Sequence, residues 1–214
     1  MDASLSIGKY LEELSSNSPT PGGGNVSAFC GSLASSLGIM VCNLTIGKKK
    51  YLESEEELTV LKRKLEKAQD DFLILAEDDN RAFEQVMAAI KLPKETESQI
   101  TKRSKKIEEA TIAAGVVPYR VIYLCKNIIP ILMVIAEKGN QNSLSDAGVA
   151  ISLTGTAAQG AFLNVLINCF SYKDNPGAKD IMFRSESDFT EVKEACRKGV
   201  EVIEKKLSGK SDTK

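Results

Sequence analysis

Residues 54–92 read SEEELTVLKRKLEKAQDDFLILAEDDNRAFEQVMAAIKL. Leu58, Leu61, Leu65, Ala68, Phe72 and Leu75 recur at alternating steps of three and four, and Ala82, Val86 and Ile90 continue the series. That spacing lays one apolar stripe along an α-helix and leaves the charges to the other faces. The predicted helix is long and stops at Pro93. One position breaks the stripe. Four after Leu75 and three before Ala82 stands Asp79, with Glu77 and Asp78 projecting to its sides. A carboxylate on a buried stripe loses its water, which disfavours the charged form and is costly without a partner. Two readings follow: an ion pair with a lysine or arginine of another helix, or a general acid or base beside a substrate pocket.

Outward from this helix the periodicity stays helical. Ile7, Leu11 and Leu14 predict a short first helix, and residues 15–24 (SSNSPTPGGG) a loop. A second helix is expected from Asn25, acting as N-cap, to about Ile46. Ile100, Ile107, Ala110 and Ala114 support a fourth, ending before Pro118, which then opens a fifth with a kink or break at Pro130. A sixth follows Ser145–Asp146 to about Phe170, and Phe189, Val192, Cys196, Val200, Ile203 and Leu207 mark the last. The expectation is one all-α domain over residues 1–208, with 209–214 a flexible tail.

Composition narrows the chemistry. The 214 residues carry 28 Lys+Arg against 29 Asp+Glu, a formal charge of −1, which argues against a nucleic-acid binder. Histidine is absent, which excludes serine–histidine and cysteine–histidine nucleophile pairs and imidazole metal sites. The five cysteines sit scattered among apolar neighbours without a Cys-x-x-Cys pair, as reduced thiols of an intracellular protein do. Met1-Asp2-Ala3-Ser4 lacks the apolar run of a signal peptide, so a cytoplasmic chain is expected.

No charge occurs from Leu14 to Gly47 or from Ala147 to Tyr172, and both runs are long enough to span a bilayer. The first holds a glycine triplet and many serines, and the second holds Gln159, Asn164 and Asn168, a polar load that argues against membrane insertion. Two small-residue stripes, Gly31/Ser35/Gly38/Cys42 and Ala147/Ala150/Thr154/Ala157/Ala161, let helix backbones approach closely. These helices are expected to cross each other or their copies in a symmetric dimer.

Further candidate features lie in loops and polar spots. Three glycines at 22–24 ahead of a helix leave backbone N–H groups open to an anion or carbonyl, though a flexible turn explains them equally well. No Gly-Lys-Ser/Thr follows, so this is not a nucleoside-triphosphate loop. Gly139 suits a helix end, and Ser145–Asp146 the start of the next. Asn164 and Asn168, one turn apart in an apolar run, need a partner helix or a polar ligand. Lys48–Lys50 and the basic residues of 102–106 read as solvated helix ends, or as a landing place for an anionic ligand tail.

Taken in order, Pro21-Gly22-Gly23-Gly24 opening a small-residue helix, Leu44-Thr45, Gly47-Lys48-Lys49-Lys50-Tyr51, the Asp79 helix closing in Leu92-Pro93, Val117-Pro118, Gly139-Asn140, Ser145-Asp146 and Asn164-Val165-Leu166-Ile167-Asn168 form one pattern. It resembles the cyclodeaminase/cyclohydrolase family of folate enzymes from roughly Ile7 to Leu207. The resemblance implies an up-and-down helical bundle that dimerises, with folate in a cleft near the subunit interface. The family's proton-donor aspartate precedes an Ala-Phe pair on the long helix, a place that Asp79 holds here before Ala82-Phe83.

The function expected from the resemblance is hydrolysis of 5,10-methenyltetrahydrofolate to 10-formyltetrahydrofolate. The alternatives are cyclodeamination of 5-formiminotetrahydrofolate, or a non-catalytic dimer that binds folate or a protein. The chain leaves no room for a formiminotransferase domain. Asp79 is the expected catalytic residue, and Gly22, Gly23, Gly24, Asn25, Lys48, Asp146, Asn164 and Asn168 the expected folate contacts. Lys48 would meet a glutamate or polyglutamate tail. No metal or redox cofactor is called for.

Overall fold

The computed structural model describes residues 6–209. Within them run α1 (Ile7–Leu14), α2 (Gly23–Asn43), α3 (Glu55–Ile90), α4 (Glu97–Lys138), α5 (Leu144–Cys169) and α6 (Pro176–Leu207), with no strand among the described residues. The N-terminal Met1–Ser4 and most of the expected tail, residues 210–214, lie outside them.

Glycine contacts fix the topology. On α2, Gly24 faces Asp79, Gly31 the ring of Phe72 and Gly38 the Leu65 side chain, so α3 runs antiparallel to α2. Asp78 pairs with Arg120, and Glu57 with Lys138, which makes α4 antiparallel to α3. Gly23 meets Asn164 and Gly160 meets Ser27, so α5 descends beside α2. Gly148 meets Ile203 and Gly155 meets Cys196, which brings α6 back up along α5. The result is the expected up-and-down bundle. Helices α2 to α5 form a square with α6 laid over α4 and α5.

Both small-residue stripes are buried. A Cβ on Gly31 would come within 2.6 Å of the Phe72 ring, and one on Gly38 within 2.6 Å of Leu132. The stripes therefore serve crossings within one chain, letting α3 side chains and α5 press onto α2.

Several expectations are corrected. The helix expected to end before Pro118 and the one expected to begin there are a single 42-residue helix, α4, with Pro118 and Pro130 inside it. It, and not the Asp79 helix, is the longest. A proline removes one helical hydrogen bond, and packing along α3, α5 and α6 outweighs that local loss. In α1 the buried residue is Tyr10, whereas Ile7 and Leu11 are exposed. On α3 the stripe holds from Leu58 to Leu75, but Ile90 is exposed and Ala89 is buried instead. The reason is coverage: α2 begins opposite Asp79, so the last three turns of α3 project beyond it with α4 alone alongside.

Asn25 is not the N-cap of α2. Gly22 is, without a side-chain cap, and Asn25 occupies the first turn, completely buried. All five cysteines are free thiols; burial pushes Cys42 up to about 11 and Cys196 up to about 12. Three helices, α2, α4 and α5, contain stretches long and apolar enough to cross a membrane, each partly buried against its neighbours in the bundle.

Candidate active site

The first turn of α2 and the middle of α3 meet at Gly24 and Asp79. A Cβ at position 24 would overlap Asp79 Oδ1 and lie 2.6 Å from Cγ and 2.7 Å from Oδ2. Only a residue without a side chain admits the carboxylate there. The opening turn of a helix presents backbone N–H groups without helical acceptors, and the Asp79 carboxylate lies against them. Burial raises the Asp79 pKa above the ordinary carboxylate value, and a hydrogen bond from the Asn25 backbone N–H opposes it.

No described lysine or arginine pairs with Asp79. Its neighbours take the nearby cations instead: Arg81 is 2.7 Å from Glu77 and 3.4 Å from Asp78, and Arg120 is 3.6 Å from Asp78. Among the described residues, then, the ion-pair reading finds no lysine or arginine partner. A half-buried carboxyl whose proton is held more tightly by burial, with a backbone N–H as its hydrogen-bond partner among the described residues, suits acid–base chemistry.

Asn25 has a different part from the one expected. Its Oδ1 accepts from Tyr10 Oη at 2.9 Å, while Nδ2 donates to the Ala76 carbonyl at 2.7 Å and to Asn80 Oδ1 at 3.4 Å. Both amide N–H groups are used and the residue has no exposed surface, so the side chain is closed to a ligand. It ties α1, α2 and α3 together behind the carboxylate. Tyr10, 3% exposed and edge-on to Phe29 at 5.4 Å, completes this latch. Sequence reasoning missed Tyr10 and Asn80; the one available signal was a tyrosine inside the apolar spacing of α1.

Gly22 and Gly23 stand at the same end, Gly23 exposed and its Cβ position 3.5 Å from Asn164 Nδ2. Asn164 is half-buried and donates to the Gly160 carbonyl of its own helix at 2.8 Å, leaving its Oδ1 without a described partner. Asn168 is half-buried one turn on, its Cβ 3.7 Å from the Cβ position of Gly115, with no described hydrogen bond. Asp79, Gly22–Gly24 and Asn164 thus share one end of the bundle, with Asn168 a turn beyond. The projecting turns of α3 and α4 rise beside them.

Lys48 and Asp146 do not join this group. Asp146 lies 18 residues before Asn164 on α5, about 27 Å away along the axis. Lys48 is exposed beyond the far end of α2, next to Gly47, whose φ of +79° turns the chain. There Asn140 donates its N–H to Thr45 Oγ1 at 2.8 Å and its amide to the Leu44 carbonyl at 3.1 Å, which locks the α4–α5 turn onto the end of α2. The expected contacts therefore divide between the two ends of the bundle.

A family model described as formiminotransferase-cyclodeaminase matches residues 6–187. The chain is 36% identical to a methenyltetrahydrofolate cyclohydrolase of Methylorubrum extorquens, over 97% of this chain and 100% of that protein. It is 31% identical to a formimidoyltransferase-cyclodeaminase of Rattus norvegicus, over 90% of this chain but only 35% of that one. Among solved structures, a formiminotetrahydrofolate cyclodeaminase from Thermotoga maritima superposes with a TM-score of 0.84 at 31% identity, covering 96% of this chain and 98% of that one.

Proposed function

The chain belongs to the formiminotransferase-cyclodeaminase family, and from that premise we propose that it hydrolyses 5,10-methenyltetrahydrofolate to 10-formyltetrahydrofolate. The observation that carries this reading is Asp79: a half-buried carboxyl without a cationic partner among the described residues, seated on a glycine-opened helix end. The full-length correspondence with the Methylorubrum enzyme favours hydrolysis, since the rat relative matches over only part of its length.

Water adds to the electrophilic carbon between N5 and N10, and the Asp79 carboxylate takes one of its protons. The resulting tetrahedral carbon carries a hydroxyl. Asp79 returns the proton to N5, the C–N5 bond breaks, and the hydroxyl's own proton is lost to solvent as the formyl carbonyl forms on N10. A carboxyl with a raised pKa suits both halves, because it holds the proton between the two steps. No metal or redox partner enters this balance. The backbone of Gly22–Gly24 and the amides of Asn164 and Asn168 bind the polar parts of the pterin.

The likeness to the Thermotoga structure supports a second reading, cyclodeamination. There N10 attacks the formimino carbon, and Asp79 protonates the departing ammonia.

The protein acts as a homodimer. Helix α2, and α5 beyond Asp146 in its first turn, carry no charge, and their outward faces and ends expose Leu33, Leu44, Val149, Leu163, Ile167 and Phe170. A two-fold axis perpendicular to these helices sets the partner's far end, with its lysines, against the Asp79 end of this chain. That arrangement gives Lys48 and Asp146 a place beside folate that one protomer does not provide.

The test is turnover of both folates by purified protein and by Asp79→Asn. Loss of the methenyl chromophore with wild type, slowed by about 10² to 10⁴ in the variant, is the expected result. Turnover of the formimino substrate alone selects the second reading. Undiminished activity of Asp79→Asn removes Asp79 from the mechanism, and folate binding without turnover of either substrate leaves a silent binding module.

A further inference from the structure

On the edge of the bundle opposite α2 and α5, helices α3 and α4 enclose a groove of about 770 Å³ that the folate chemistry does not use. Its volume falls in the range of small-molecule sites. The floor is apolar and buried, built by Ala68, Leu75 and Ile128. Ile74 and Tyr123 line its middle, and each is 53% exposed, a large apolar and aromatic surface left open to water. Lys64 and Lys67, one turn apart on α3, stand at the Pro130 end and form no ion pair or hydrogen bond with a described residue. Arg120, at the other end, is held at 3.6 Å by Asp78.

Lys64, Lys67 and Arg120 thus line the groove against Asp71 and, on Arg120, Asp78, which leaves the charge at the Pro130 end to the two lysines. Asn127, beside it, has no described hydrogen-bond partner. From Lys64 to Ile74 is ten residues, about 15 Å along the helix. That is the length of an extended ligand with one ring and one charged end. The charge is wrong for a cation and the floor is wrong for a bare inorganic ion, which finds no apolar partner.

We propose that this groove binds an amphipathic organic anion, its ring against Tyr123, Ile74 and Leu75 and its carboxylate, sulfonate or phosphate on Lys64 and Lys67. The site is separate from the one built around Asp79, whose carboxylate faces α2 on another side of α3.

The chain contains no tryptophan, so Tyr123→Trp places a single indole in the groove. Quenching of its fluorescence by 4-(4-nitrophenyl)butanoate, an aromatic ring on an extended anionic tail, should saturate with a dissociation constant at or below about 1 mM. In Lys64→Glu/Lys67→Glu on the same background, the constant should rise at least about tenfold. These lysines are exposed, so the thermal midpoint should hold and report that the variant folds. The uncharged isostere 4-(4-nitrophenyl)butanamide should quench only linearly. Equal saturation by the amide, or an unchanged constant in the double variant, overturns the proposal, and so does displacement of the probe by tetrahydrofolate, which would assign the groove to the substrate.

Discussion

Asp79 and Gly24 are one device. The carboxyl sits where a β-carbon on residue 24 would be, so Gly24→Ala should displace it. The expected outcome is a fall in kcat of at least about tenfold with protein that still folds, checked by turnover beside circular dichroism. The pH behaviour follows from the direction of the Asp79 shift. Burial raises its folded pKa, so the proton is held more tightly folded than unfolded. Its contribution to stability is complete below the unfolded carboxyl value, near about 3.9, and is lost as pH rises through the folded one. Asp79→Asn should therefore raise the thermal midpoint at neutral pH, by roughly 2–4 °C per kcal/mol recovered, and the gain should shrink as pH falls toward 4. The acid limb of kcat/KM, where the carboxylate becomes protonated, should lie above the usual carboxylate range and vanish in the same variant.

At the scale of elements, α1 matters more than its eight residues suggest. Its one buried side chain, Tyr10, donates to Asn25, and Asn25 reaches Ala76 and Asn80 on α3. Tyr10→Phe keeps the ring and orphans the buried Asn25 oxygen, at a cost of about 1–3 kcal/mol read from denaturant unfolding. Activity should fall with it if the latch steadies the first turn of α2; unchanged stability would show that the Tyr10 hydroxyl is dispensable. This latch was not legible beforehand. A tyrosine at helical spacing gives no sign of which residue 15 positions on will accept its hydroxyl. The stripe from Leu58 to Leu75 was legible, because burial against a neighbour imposes its period, and it failed at Ile90 where the neighbour ends. The two prolines misled for a related reason: their cost is local, whereas α4 is held along its length chiefly by α3, α5 and α6.

For the whole molecule, the apolar outer faces of α2 and of α5 beyond Asp146 carry the prediction. Leu163→Glu/Ile167→Glu, both on exposed positions, should yield a folded monomer by sedimentation with turnover much reduced. A monomer of full activity would show that one chain completes the site alone. The spacing of apolar residues, the absence of histidine and a carboxylate on an apolar stripe were enough to establish an all-helical fold, exclude imidazole chemistry and single out Asp79, because periodicity and composition are properties of the chain itself. Only the packed bundle decided that Asn25 is structural, that Asp79 goes without a lysine or arginine among the described residues, and that Lys48 and Asp146 stand at the opposite end of the bundle from Asn164. Those are facts about which helix ends meet, and antiparallel packing brings together residues that their order along the chain keeps far apart.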